Sequence, residues 1–272
     1  MDLNTIDRYR YARTREDLRL GPGERVVAGG TWFFSEPQVD ADGIVDLTTM
    51  GWPAFEDLPD DGLRIGATCP IVEITRLPAR SAWRAQPLFS ECANALLASF
   101  KIWNVATVGG NICRSFAAAS MVSLAAGLDA TAVIWCPDGS ERRTPVAELI
   151  TGNGTNSLGD AEILRAIDIP GTSMQSVTAF RKIALAELGR SGAVVTGRRD
   201  EDGTLILVVT AATLRPHVMR FDAIPTIDEL HDRVVAADDF YTDPLGSADW
   251  RRATSAVLAE EIRAELAGGV TA

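Results

Sequence analysis

The chain has 272 residues, 46% of them apolar, which is enough for one large domain or two smaller ones with a buried core. Its 37 acidic side chains outnumber 26 basic ones, for a formal charge of −11, and no Lys/Arg block or basic stripe is present, so nucleic acid and anionic membrane are poor candidates for partners. No run of about 18 apolar residues occurs, and Met1 opens onto Asp2, Asn4, Asp7 and Arg8, so a soluble, cytoplasmic chain without membrane insertion is expected.

In chain order, residues 24–28 predict a short buried strand that runs into the pair Gly29-Gly30, and residues 43–47 and 63–67 predict two more strands. Residues 71–77 and 88–100 carry helical spacing, the second with Leu88, Cys92, Leu96 and Phe100 at i, i+4 steps. The second pair, Gly109-Gly110, is expected at the end of that helical region. Residues 121–130 predict a helix of small residues. Residues 131–136 predict a strand that turns back at Pro137-Asp138-Gly139-Ser140. A strand over 162–169 stops at Pro170, and the turn-forming Gly171-Thr172-Ser173 marks a domain boundary.

Beyond it, residues 177–184, 193–198 and 205–213 predict strands, the last two joined across Asp200-Glu201-Asp202-Gly203. The Leu-Ile-Leu-Val-Val run is apolar enough for burial on both faces. Residues 227–235 predict a helix, and a final helix starts at Ser247 and stops at Gly268-Gly269. An α+β arrangement of about three strands with helices on one side follows.

Four cysteines, Cys69, Cys92, Cys113 and Cys136, lie too far apart for zinc or iron–sulfur loops, so reduced thiols and no metal on this chain are expected. His217 reads as a loop histidine beside Pro216, and with His231 as the only other one a His-based triad has little room. A diglycine after a buried strand permits positive φ and lets successive N–H groups converge on an anion, or else it serves a tight turn or a close helix–strand contact. Neither pair has the Gly-x-Gly-x-x-Gly spacing of a nicotinamide Rossmann domain. Two nests about eighty residues apart, each flanked by Thr, are placed to embrace a pyrophosphate.

The series Ala28-Gly29-Gly30-Thr31, Gly62-Leu63-Arg64-Ile65-Gly66-Ala67, Thr107-Val108-Gly109-Gly110-Asn111-Ile112, Glu162-Ile163-Leu164 with Pro170, Phe180-Arg181-Lys182 and Gly246-Ser247-Ala248-Asp249-Trp250-Arg251 covers almost the whole chain. It resembles the FAD-binding medium subunit of the molybdenum hydroxylases, the family of xanthine dehydrogenase and the bacterial carbon monoxide dehydrogenases. The resemblance implies an α+β, two-subdomain FAD-binding fold of the molybdopterin dehydrogenase type over residues 1–170, with subdomains at about 1–57 and 58–170. A small C-terminal α+β domain with an antiparallel sheet would follow over 171–272.

It also implies non-covalent FAD, with the pyrophosphate between one loop of Val27, Ala28, Gly29, Gly30, Thr31, Trp32 and Phe33 and a second of Thr107, Val108, Gly109, Gly110 and Asn111. Leu164 matches an apolar residue near the isoalloxazine and Lys182 a basic one. Ser120 falls where relatives commonly place an Asp on the adenosine ribose, Trp32 where a small polar residue is usual, and Arg190 where an acidic residue often approaches the flavin edge. No residue is assigned to catalysis on this chain. Molybdenum–pterin and two-iron two-sulfur clusters are implied in a large and a small partner subunit, in a heterotrimer or its dimer. The alternatives are a self-sufficient FAD oxidase or dehydrogenase, and a scaffold that has lost FAD.

Overall fold

The structure is a computed structural model and describes residues 3–268, so the expected stop at Gly269 lies outside the described residues. Three short strands, β1 (Arg8–Tyr11), β2 (Glu24–Val27) and β3 (Gly43–Asp46), form a parallel sheet in the order β1-β3-β2. The sequence did not predict β1, whose Arg-Tyr-Arg-Tyr alternates but buries neither face, both tyrosines being half exposed. The sheet packs over Ala12, Leu18, Val45 and Leu47, and over Ile163 from far along the chain. Trp52 and Trp135 meet edge to face at 5.5 Å beside that small core.

The next sheet contains β4 (Phe55–Asp57) and β5 (Leu63–Gly66), followed by the helices α1 (Ile71–Thr75), α2 (Pro87–Ala95), α3 (Phe100–Trp103), α4 (Val108–Arg114) and α5 (Ser120–Gly127). It is completed by β6 (Thr131–Trp135), β7 (Glu141–Pro145) and, after α6 (Val146–Leu149) and the two-stranded ribbon β8 (Ile150–Gly152) and β9 (Thr155–Asn156), by β10 (Ile163–Ile169). The antiparallel order is β4-β5-β10-β6-β7, so the subdomain line expected at 57/58 falls within the β4–β5 hairpin. The main core gathers on this sheet, with α5 buried along its whole length.

Two expectations are corrected here. The helix expected over 88–100 ends at Ala95, because Leu96 turns extended (ψ 111°) and Ser99 caps a new short helix. Phe100, the last residue of the apolar stripe, is 73% exposed. Gly109 and Gly110 do not close a helix; they lie in the first turn of α4, under the N-cap Thr107.

The expected boundary at 171–173 falls on α7 (Gly171–Gln175), where Met174 is a buried anchor that the sequence reading missed. Four strands, one more than expected, follow: β11 (Val177–Ile183), β12 (Ala193–Arg199), β13 (Leu205–Thr210) and β14 (His217–Phe221), antiparallel in that order. His217 is therefore a strand residue, its Nε2 3.0 Å from the Arg233 carbonyl, and not a loop histidine. Helices α8 (Ile227–Val235) and α9 (Ala248–Ala267) cover one face of this sheet. The other face, through Ile206 and Val208, packs on Ala126 of α5, so helices lie on both sides. Ser123 and Thr210 share a buried hydrogen bond at 2.6 Å, and Asp129 joins Arg198 (2.6 Å) and Arg220 across the same seam. Among the described residues no helix is long and apolar enough to cross a membrane.

Candidate functional site

Strand β2 stops at Val27, and the chain turns sharply against the segment that leads into α4. A Cβ at Gly29 would stand 1.9 Å from the Val105 carbonyl oxygen. Gly30 takes φ +67°, and a Cβ there would meet the Phe34 ring at 2.3 Å. Both glycines are thus required by the protein's own backbone and by Phe34. The turn is held by Phe34 N–H on the Gly30 carbonyl (2.9 Å) and Ser35 N–H on that of Trp32 (2.8 Å). The amides of Gly29, Gly30, Thr31, Trp32 and Phe33 donate to no protein acceptor among the described residues. Five consecutive amides on one tight turn are thus left without a protein acceptor, the kind of donor that an anion-binding nest draws on.

The second pair is built differently, and the open nest expected at 107–111 is not present. The Val108 N–H donates to the Cys69 carbonyl and the Gly109 N–H to that of Ala67, both at 2.9 Å. The Gly110 N–H donates to Thr107 Oγ1 (3.1 Å) and the Asn111 N–H to the Thr107 carbonyl (2.9 Å). Gly109 exists for close packing, since its Cβ would lie 2.5 Å from that of Ala67. At Gly110 a Cβ would meet only Thr107 Oγ1, at 2.9 Å.

Between the two loops lies a cleft of about 400 Å³, with residues from Val27 to Phe33 on one side and Thr107, Gly110 and Asn111 on the other. Leu96, Ile102, Cys113, Arg114 and Phe116, none of them singled out from the sequence as ligand contacts, complete its wall. The break after α2 is what places Leu96 there. A smaller hollow of about 150 Å³ shares Val26, Ala28, Gly110 and Cys113 with the cleft and reaches Gly109, Glu162 and Leu164.

The other sequence-derived residues lie elsewhere. Val108 is buried in the main core. Ser120 is 2% exposed behind the cleft, with its Oγ unpartnered. Asn111 Oδ1 instead accepts the Met121 N–H at 2.9 Å and ties α4 to α5. Lys182 sits on β11 and lines neither hollow, and Arg190 lies 3.7 Å from Asp243 in the C-terminal part.

Burial pushes the Cys113 thiol up to about 12, so the cleft presents a neutral sulfur. Glu162 moves the other way. Hydrogen bonds from Arg142 (2.6 and 3.0 Å), helped by the Gly159 N–H (2.8 Å), hold its carboxyl at about 2 against the opposing effect of burial. Its folded value lies below the unfolded one near about 4.3, so its contribution to stability is full above that pH and is lost as pH falls toward 2. Glu162→Gln is therefore expected to lower the urea midpoint at pH 7, with a gap to the parent that narrows from pH 5 to pH 3. A gap independent of pH would show that the charge on Glu162 is irrelevant.

Residues 10–172, more than half of the chain, match the model of a family described as the FAD binding domain in molybdopterin dehydrogenase. A xanthine dehydrogenase FAD-binding subunit of Escherichia coli O157:H7 is 31% identical over 188 residues, 66% of this chain and 63% of that protein. A nicotinate dehydrogenase FAD-subunit of Eubacterium barkeri is 29% identical over 166 residues, 58% of this chain and 54% of its own. The chain thus aligns with less than two thirds of the length of these curated relatives. Among solved structures, quinoline 2-oxidoreductase from Pseudomonas putida 86 superposes with a TM-score of 0.83 at 18% identity, over 100% of both chains, which establishes the shared fold.

Proposed function

The chain belongs to the family of FAD-binding domains of molybdopterin dehydrogenases, and from that membership we propose that it is the electron-transfer flavoprotein subunit of a multisubunit molybdenum hydroxylase. In this reading a large molybdenum–pterin subunit oxidises the organic substrate, a small subunit relays electrons through two-iron two-sulfur clusters, and the present chain passes them through FAD to an external acceptor. The three would assemble as a heterotrimer or its dimer. The relatives' names support the reading, since each calls its protein a subunit.

The observation that carries the proposal on this chain is the run of free amides from Gly29 to Phe33 on a loop that lines the cleft. Bound FAD supplies the capacity to take up and release electrons singly or in pairs. The residues of this chain hold and orient it. The five amides and the Arg114 guanidinium fit a diphosphate, Leu96 and Ile102 offer apolar surface that excludes water, and Leu164 closes the adjoining hollow.

The purified chain is expected to carry about one FAD, released entirely into the filtrate on denaturation, and to oxidise neither aldehydes nor N-heterocycles until its partners are restored. Colourless protein that takes up no added FAD would sink the proposal. Substrate-driven bleaching of the flavin by the molybdenum-free chain alone would make it a self-sufficient dehydrogenase instead.

A further inference from the structure

The wall of the cleft carries a cation that the fold leaves unpaired. Arg114 is the last residue of α4, and the chain leaves the helix through Ser115 at φ 55°. Its guanidinium carbon lies 4.4 Å from the centroid of the Trp32 ring and 4.2 Å from that of Phe116. The two rings meet edge to face, with centroids 4.8 Å apart. Arg114 Nε is buried and has no hydrogen-bond partner among the described residues. Elsewhere in the molecule, the half-buried or buried Arg64, Arg142, Arg198 and Arg251 each donate to a carboxylate. The one acidic side chain that influences Arg114 is Glu36, which attracts it from a distance, while burial pulls its pKa down.

A half-buried guanidinium that makes no hydrogen bond among the described residues is costly unless something arrives to accept one. The chain as a whole is strongly acidic, so an anion approaching it meets a repulsive field that the amide dipoles alone offset weakly. The amides of residues 108–111 are already donated within the protein, so the first turn of α4 offers an anion no run of free backbone donors like that of the first loop.

We infer that Arg114 supplies the positive charge that binds the diphosphate of FAD from the α4 side of the cleft, opposite the free amides of Gly29 to Phe33, with Trp32 and Phe116 as the positioning residues that hold its guanidinium there. The inference rests on the FAD-binding reading given above. Stacking limits the guanidinium to few rotamers, so little further entropy is lost when its planar fork takes a phosphate. Because Trp32 comes from the first loop and Arg114 and Phe116 from the end of α4, the cluster also joins the two sides of the cleft.

The test is titration of the full-length apoprotein with FAD and with ADP, which carries the diphosphate without the flavin, at rising NaCl. Arg114→Gln is expected to weaken both ligands by about tenfold to a hundredfold, the range for a hydrogen bond to a charged group, and to flatten the dependence on salt. Arg114→Lys keeps the charge but not the fork and should recover part of the affinity with the parent's salt dependence. Trp32→Leu should weaken both ligands, though less than Arg114→Gln. Arg114→Gln protein that binds FAD and ADP like the parent overturns the inference and leaves FAD binding intact as a reading. Weaker binding with an undiminished salt dependence also overturns it, because the residue would then act on the shape of the cleft and not through its charge. Parent protein that binds neither ligand overturns both. If Arg114→Gln does not fold, the parent's own ADP titration decides, since an affinity insensitive to salt is incompatible with a cation at the diphosphate.

Discussion

Gly110→Val is expected to abolish measurable FAD binding in a chain that still folds, whereas Gly109→Val, one residue earlier, is expected to prevent folding. The two glycines look alike in the sequence, and the structure gives them different neighbours. At Gly109 any Cβ would stand 2.5–2.8 Å from Ala67, whose carbonyl oxygen and Cα cannot yield without pulling α4 off the β5 strand. At Gly110 the nearest atom is the Thr107 hydroxyl, which can rotate away at the cost of one capping bond, about 1 kcal/mol. The two methyls of valine would then project toward the cleft, into space the diphosphate needs. A loss of affinity greater than about a hundredfold, close to 3 kcal/mol, is expected at Gly110. Flavin fluorescence titration of apoprotein, beside a thermal melt of each variant, separates the two outcomes. Normal FAD affinity in Gly110→Val would place the diphosphate elsewhere.

Arg251→Met is expected to destabilise the C-terminal part by about 3–5 kcal/mol, the usual consequence of removing one partner from a buried charge pair. That is a large share of the roughly 5–15 kcal/mol that holds a typical domain together. Arg251 is fully buried on α9, and its guanidinium donates to the carbonyls of Gly192 (2.6 Å), Gly246 (3.3 Å) and Ala211 and to Asp243 (2.5 Å), with Tyr241 stacked at 4.1 Å. It therefore clasps the start of β12, the end of β13 and the turn before α9 to one point. Ala211 has a left-handed φ of 63°, a strain of about 1–2 kcal/mol for a residue with a Cβ, and its carbonyl accepts both Arg251 and the Tyr241 hydroxyl (3.0 Å). Adding Ala211→Gly to the Arg251→Met variant should raise the urea midpoint again. An unfolding free energy for Arg251→Met within about 0.5 kcal/mol of the parent's would mean that the clasp is dispensable.

Strands 24–27, 43–46, 63–66 and 163–169 could be read from the sequence because short apolar runs are bounded on one side by a nearby glycine or proline, signals that depend on the local chain alone. The failures share a different cause. The stripe from Leu88 to Phe100 has perfect helical spacing, but Leu96 belongs to the cleft wall, a demand that comes from another part of the molecule. The strand at His217 was hidden because Pro216 precedes it and its burial depends on β13.

The glycine pairs show the limit most clearly. The sequence reveals that side chains are forbidden at Gly29, Gly30 and Gly109, but not that the excluding atoms are Val105, Phe34 and Ala67 of the same chain. Arg114 left no signal, since a basic residue after a Gly-Gly turn is unremarkable until Trp32 and Phe116 are found packed together against it.

The small parallel sheet that carries the first loop has a consequence for synthesis. Its core is completed by Ile163 of β10 and bordered by Trp135 of β6, so the loop at Gly29 to Phe33 has no fixed platform when it leaves the ribosome. At about 5–20 residues per second, on the order of ten seconds pass before β10 emerges to support it. Coenzyme loading is in that sense necessarily late, and a nascent chain stalled before β10 would expose the sheet's apolar face to chaperones and proteases without the means to capture a flavin.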